Sequence, residues 1–166
     1  MKLRLGLALF LCVAYVALAP QQVAVDWLRG TDFSRYKTYI WRLSPQPVRD
    51  VTWNGRIISN VDAQLSAKGL KKVSAAESPD LVVLYIAGRT PSTTLTPDSY
   101  ANGPSGGIKN VQQNQASLKV YLEDPRLPGV VWCALGTDAL ADTSEKNIGM
   151  LEKLVQEMFS SYPPAK

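Results

Sequence analysis

Alternation between apolar and polar positions marks the strands of this chain. Val23, Val25 and Trp27 alternate with more polar neighbours, and the segment 117–124 repeats the pattern. Because successive side chains of a strand point to opposite faces, this period predicts strands with one buried face. The run 81–87 is apolar throughout, which is typical of a strand at the centre of a sheet. The complete set of predicted strands is 23–27, 37–41, 70–73, 81–87, 117–124 and 130–139.

Two groups of turn residues predict hairpins. Gly30 and Asp32 lie between the first two strands, and both residue types favour turns. The segment 124–129 contains two prolines and a glycine and joins the last two strands. The sequence therefore predicts that the first pair of strands and the last pair each form an antiparallel hairpin.

A period close to four residues marks the first helix. Trp53, Ile57 and Val61 recur at every fourth position within 51–68, which predicts an amphipathic helix. Gly69 follows directly and can adopt the left-handed conformation that ends many helices. We expect this helix to form only by docking its apolar stripe on the sheet, because ordering each residue costs about 1 to 2 kcal/mol.

A second amphipathic helix closes the chain. Asp142 with Glu145, or Ser144 beside them, can cap its first turn, and Pro163 and Pro164 end it. Its apolar face comprises Ile148, Leu151, Leu154, Val155, Met158, Phe159 and Tyr162. The order of strands and helices predicts an α+β domain at 20–164, with a single mostly antiparallel sheet and both helices packed on one face.

A polar stretch separates the central strand from the last hairpin. Residues 88–116 are rich in glycine, proline, serine, threonine and amide side chains, which predicts a flexible loop. Gly103 to Lys109 lacks the Gly-Lys-Ser/Thr ending of a phosphate loop, which argues against a nucleotide site. Ordering on a partner and plain disorder both remain open for this segment.

The first nineteen residues have the organisation of an export signal. Lys2 and Arg4 precede an apolar run at 5–16, and the small residues Ala17 and Ala19, separated by one position, suit signal peptidase. The sequence therefore predicts a signal peptide at 1–19 and a periplasmic or envelope-associated protein. If the segment stays uncleaved, it forms the protein's membrane anchor. Cys12 lies inside the apolar run, which argues against lipidation.

Composition excludes several classes of chemistry. The chain contains no histidine, which rules out Ser-His-Asp and Cys-His catalysis and histidine zinc sites. Cys133 is the one cysteine left after signal removal, so the mature chain can form no internal disulfide. The formal net charge of +4 falls further when Lys2 and Arg4 are removed, which does not favour nucleic-acid binding. We expect no metal and no cofactor.

Several short segments together resemble a known family. Residues 32–39 read DFSRYKTY, with Trp41 two positions later. In the same order follow VDAQL at 61–65, AKGL at 67–70, PDLVV at 79–83, VVW at 130–132 and YPP at 162–164. In this order the segments resemble the bacterial domain of unknown function 4136 family over 23–164. The resemblance implies an exported envelope protein, in many members lipid-anchored, with a small mixed α/β domain, and it implies no activity.

The sequence favours a noncatalytic binding or interaction module of the cell envelope, and it assigns no catalytic residue. The residues that we expect to contact a ligand or partner are Tyr36, Tyr39, Tyr100, Lys119 and Tyr121. The first two also suit an ordinary half-buried strand. The partner is an unknown envelope protein, a glycan or a small molecule.

Two alternatives remain. One is a histidine-free hydrolase of envelope glycans that works through a carboxylate pair, and the other is a structural accessory subunit. The carboxylates considered for the hydrolase are Asp26, Asp32, Asp62, Asp80, Glu123 and Asp124.

Overall fold

The computed structural model describes residues 22–74, 76–97 and 108–164 as six strands, two α-helices and a short 3-10 helix. The segment 1–19, predicted as a signal peptide, and the predicted site residue Tyr100 lie outside the described residues. None of the described helices is long and apolar enough to cross a membrane. In chain order the elements are β1 (Gln22–Trp27), the 3-10 helix (Phe33–Arg35), β2 (Thr38–Trp41), α1 (Val51–Ala67), β3 (Lys71–Lys72), β4 (Leu81–Pro97), β5 (Ile108–Glu123), β6 (Val130–Ala139) and α2 (Ser144–Met158).

The strands form one sheet in the order β1-β6-β5-β4-β2-β3. The α+β class is confirmed, but the sheet is mixed, because β2 pairs in parallel with both β3 and β4 while the other three pairings are antiparallel. The hairpin predicted for the first two strands is wrong. β1 pairs with β6 at one edge, and the 3-10 helix leads the chain to β2 near the other edge. The hairpin of β5 and β6 is confirmed.

Both helices pack on one face of the sheet. Register places Val83, Val120, Ala134 and Val25 on this face, in four neighbouring strands. All four belong to or pack against the main hydrophobic core. The helices contribute Ile57, Val61, Leu65, Leu154, Val155 and Met158 to the same core. The core therefore fills the space between the helices and a single sheet face.

The helix ends follow local chemistry. Asp50 caps α1 by accepting the N–H groups of Thr52 and Trp53, and Gly69 has a φ of 85° just beyond its end. α2 is capped by Thr143, which accepts the Lys146 N–H. The sequence predicted Asp142 with Glu145 or Ser144 for that role. Thr143 takes it because it is the last residue with extended backbone, the conformation that an N-cap needs.

The segment 88–116, predicted as a flexible loop, is largely strand. Beyond the end of β6, the continuations of β4 and β5 pair only with each other, from Ser92 opposite Gln113 to Pro97 opposite Ile108. We call this two-stranded extension the arm. Its sequence is rich in polar residues, so the apolar alternation that identifies the other strands is missing.

Candidate functional site

A groove of about 440 Å³ opens at the end of the sheet where the arm begins. Its walls are the first halves of α1 and α2, and its floor is the sheet. Trp53, Ile57, Met150, Leu151 and Leu154 line it from the helices. Ala87, Arg89, Ala116, Leu118 and Asp138 line it from the strands. The interior is therefore mostly apolar, with polar groups at a few points, which is the usual composition of a small-molecule site.

Small side chains at the end of the sheet create this space. Register places Arg89 beside Ala116, and Ala116 beside Asp138, across β4, β5 and β6 on the helix-covered face. Ala87 precedes Arg89 on the same face of β4. Because the alanines do not fill the gap between the helices, the sheet is left uncovered at this end.

The polar groups of the groove differ in the hydrogen bonds that they already make within the protein. Asp50 accepts two N–H groups of α1, at 2.9 and 3.1 Å, and the Asp138 carboxylate accepts the N–H of Ala139 at 2.8 Å. Asn147 holds Ala141 by two hydrogen bonds. Arg89 is exposed, and its side chain makes no ion pair or hydrogen bond within the described chain. Its guanidinium is therefore free to bind an acidic group at the mouth of the groove.

A second cleft, of about 570 Å³, lies at the Trp27 end of β1, at the other end of the sheet from the groove. Trp27, Phe33, Pro163 and Pro164 form its apolar part. The Arg29 guanidinium stacks 4.1 Å from the centre of the Trp27 ring. That cation–π contact already occupies one face of the half-buried Trp27 ring, so the cleft offers fewer unused groups for binding a ligand than the groove does.

The structure places Tyr36 in a buried charge network instead of on a binding surface. Its ring is 2% exposed, and its hydroxyl donates to Asp124 at 3.1 Å. Asp124 also accepts Arg35 at 2.7 Å and Arg126 at 2.8 Å. Burial raises the pKa of Asp124, but the hydrogen bonds from Arg126 and Tyr36 outweigh burial and lower the pKa to about 2. This network joins the 3-10 helix to the turn after β5.

Tyr39 is buried in a similar way. It is 2% exposed, and its hydroxyl donates to Asp62 of α1 at 2.8 Å. The Trp41 indole N–H and the Lys72 ammonium bind the same carboxylate, at 2.7 and 3.0 Å. Burial and then the hydrogen bond to Asp62 raise the pKa of Tyr39. The side chain therefore fastens α1 to the sheet, and its ring is not available for stacking on a ligand.

Lys119 and Tyr121 lie on the face of the sheet away from the helices. Register places them beside Leu84, Ile86 and Cys133 of the neighbouring strands. We call this surface the open sheet face. Its members are Ala24, Asp26, Ile40, Arg42, Val82, Leu84, Ile86, Lys119, Tyr121, Glu123, Cys133 and Leu135. None of them belongs to the hydrophobic core under the helices.

The carboxylates considered for catalysis have structural contacts. Asp80 accepts the N–H groups of Lys37 and Thr38, at 2.9 and 3.0 Å, and these bonds lower its pKa. Glu123 pairs with Arg42, and Asp32 accepts the N–H of Ser34. Among the described residues, no group of three or more acidic or cysteine side chains could hold a metal ion.

Sequence reasoning missed the groove. Two carboxylates, Asp50 and Asp138, line it together, and neither was considered as a site residue. A local signal was available in β4, where the apolar run 81–87 ends with the small residue Ala87 and is followed by Gly88 and the cation Arg89.

Comparisons with known proteins agree on the fold. A DUF4136 family protein from Bacteroides thetaiotaomicron is 13% identical, with a TM-score of 0.55 over 86% of this chain and 96% of that chain. A PDZ domain protein from Parabacteroides distasonis is 16% identical, with a TM-score of 0.57 over 90% of this chain. This chain spans only 38% of that protein's length.

A PelC dodecamer from Paraburkholderia phytofirmans is 14% identical, with a TM-score of 0.50 over 84% of this chain and 96% of that chain. At such identities the likeness shows the fold alone. No curated protein matches the chain. A family model described as Domain of unknown function (DUF4136) matches residues 23–164, which is most of the sequence and the span of the resemblance noted above. The chain belongs to the DUF4136 family.

Proposed function

We propose that this protein is an exported, noncatalytic binding module of the cell envelope whose groove holds an amphiphilic small molecule. The observation that carries the proposal is the apolar groove of about 440 Å³, with Arg89 at its mouth, whose side chain pairs with no group in the part of the chain that the structure describes. This volume lies within the range of about 300 to 1,000 Å³ that is typical of ligand sites. A ligand with an apolar body and one acidic group fits both features.

The chemistry of the groove supports binding over reaction. Trp53, Leu151 and Met150 offer an apolar surface, and each methylene group buried there contributes about 0.8 kcal/mol. Arg89 adds a charge-assisted hydrogen bond to the acidic group. Both carboxylates already accept backbone N–H groups, and Asp50 lies at the positive end of α1, which reduces their repulsion of an anion.

The test begins with native mass spectrometry of the protein purified from the periplasm of an expression host, with the full signal sequence retained. A bound mass that leaves on denaturation supports a ligand, and the backbone mass reports signal cleavage. Binding is then measured with anilinonaphthalene sulfonate, an apolar aromatic anion, through its fluorescence.

Two matched variants make the binding test specific. Ala116→Phe fills the groove, whereas Ala63→Phe makes the same change on the exposed side of α1. We expect Ala116→Phe and Arg89→Ala to weaken probe binding at least about tenfold and Ala63→Phe to leave it unchanged. Equal binding by Ala116→Phe and the unmodified protein would contradict the proposal.

The alternative function is a carboxylate-dependent hydrolase of envelope glycans. It is favoured by one observation, that Asp50 and Asp138 line the same groove. If it is correct, the protein releases reducing sugar ends from purified cell-wall glycan, and Asp138→Asn abolishes the release while leaving probe binding intact. Absence of released sugar with the unmodified protein contradicts this alternative.

A further inference from the structure

The open sheet face lies on the side of the sheet opposite the groove. We propose that it is the contact between two copies of this chain, which meet in an antiparallel arrangement that sets Lys119 of each copy against Glu123 of the other. This inference is independent of the proposed ligand, because the two surfaces share no residue.

The first observation is that no described helix covers the apolar side chains of this face. Ile40, Val82, Leu84 and Ile86 lie at the centre of the open sheet face, yet no described helix packs on them. Leu84 is 7% exposed and adds little to the accessible surface, whereas Ile40, Val82 and Ile86 are half-buried and Leu135 is 37% exposed. Apolar side chains that remain accessible together in one patch mark an interaction site.

The second observation is a symmetric distribution of charge. Lys119 and Glu123 lie two positions on either side of Tyr121, on the same face of β5. Around them the open sheet face carries one further cation, Arg42, which pairs with Glu123, and one further anion, Asp26. The four charges balance, so two copies of this face do not repel each other as a whole.

The antiparallel arrangement follows from these positions. A two-fold axis that runs across the strands through Tyr121 reverses the strand direction in the second copy, so that Lys119 faces the partner's Glu123 twice. An axis along the strands would instead bring Lys119 against Lys119. Register places Cys133 beside Tyr121, on the axis, so the two Cys133 residues face each other.

The size of the face predicts a modest affinity. Five strands about 4.8 Å apart, each contributing about 20 Å of length, give a footprint of about 500 Å² on each copy. The combined area of about 1,000 Å² lies just below the range of about 1,200 to 2,000 Å² that stable complexes bury. We therefore expect a reversible dimer with a dissociation constant in the micromolar range.

Charge exchange tests the arrangement directly. Lys119→Glu and Glu123→Lys each place like charges in both contacts, so each variant alone should dimerise at least about tenfold more weakly in analytical ultracentrifugation. Mixing the two variants should restore a dimer, visible as a heterodimer in native mass spectrometry, because both of its contacts are then complementary. Lys153→Glu on the exposed side of α2 is the matched control and should leave the dimer unchanged.

Cys133 provides a second, independent measurement. A short bismaleimide should crosslink the mature protein into a covalent dimer, and Cys133→Ser should remove the product. A monomer at all accessible concentrations would overturn the proposal. A dimer that neither charge variant weakens would also overturn it, because the copies would then meet elsewhere, for example along the free edge of β1.

Discussion

The buried carboxylate of Asp124 should govern how the stability of this protein depends on pH. Its side chain is inaccessible to solvent and receives hydrogen bonds from Arg35, Arg126 and Tyr36. Burial alone would raise the pKa, but the hydrogen bonds from Arg126 and Tyr36 favour the ionised form and hold the pKa at about 2, against an ordinary value of 3.8. The ionised carboxylate therefore stabilises the folded state relative to the unfolded chain.

The magnitude follows from this difference in pKa. It corresponds to at most about 2.4 kcal/mol, and solvent screening of the two arginines, which are 46% and 53% exposed, reduces it to about 1 to 2 kcal/mol. Because the folded pKa is depressed, the contribution is complete above the unfolded pKa of about 4. It is lost as the pH falls from about 5 towards 2.

Asp124→Asn removes the charge at nearly constant volume. We expect the free energy of unfolding, measured in urea, to fall by about 2 to 3 kcal/mol at pH 7. The charge is lost, and the amide NH₂ group places hydrogen-bond donors next to the two arginines, which are donors themselves. At pH 2 the difference between the two proteins should shrink to less than about 1 kcal/mol. Glu152→Gln is the control, because this carboxylate lies on the exposed side of α2 and its replacement should change the free energy of unfolding by less than about 0.5 kcal/mol. An equal loss at both pH values would refute the electrostatic explanation.

Three further results are expected. Gly136→Ala should lower the free energy of unfolding, measured by urea titration, by about 1 to 3 kcal/mol. The reason is that a Cβ at this position would lie 2.6 Å from Leu154 Cδ1 and 2.9 Å from the Met158 sulfur. An unchanged free energy would mean that α2 moves away freely. Asp80→Ala should cost about 1.5 to 3 kcal/mol in the same assay, since it removes the acceptor of two N–H groups of the β2 entry, and an unchanged midpoint would contradict that role. Replacing 92–113 by an Asn-Gly turn should shift the thermal midpoint by less than about 5 °C, because the arm pairs only with itself there. A large loss would show that the arm supports the domain.

Strand pairing shows where prediction from sequence ends. The period of β6 predicted its bounds at 130–139 as the structure has them, and Gly69 was placed correctly at the end of α1. β1 was also predicted within one residue, but its partner was wrong. A turn signal such as Gly30 indicates that the chain bends, and it does not indicate which strand comes to lie alongside.

The candidate site shows the same limit. Lys119 and Tyr121 lie on the open sheet face, because alternation along a strand places them opposite the core side chains Leu118 and Val120. Their role in binding stays a prediction. Ala116 and Asp138 became neighbours only through the pairing of β5 with β6, so no pattern within either segment could indicate the groove.

The sequence by itself determined the two helices, most of the strand positions and the face that each strand buries, because these depend on the period of side chains along a few residues. The tertiary structure decided which strands pair, that the polar arm is a hairpin, and what the tyrosines do. From the sequence, Tyr36 and Tyr39 were candidates for stacking on a ligand. In the folded chain their hydroxyls donate hydrogen bonds to Asp124 and Asp62, which lie 88 and 23 residues away. Contacts over such distances depend on the whole chain, so local patterns do not encode them.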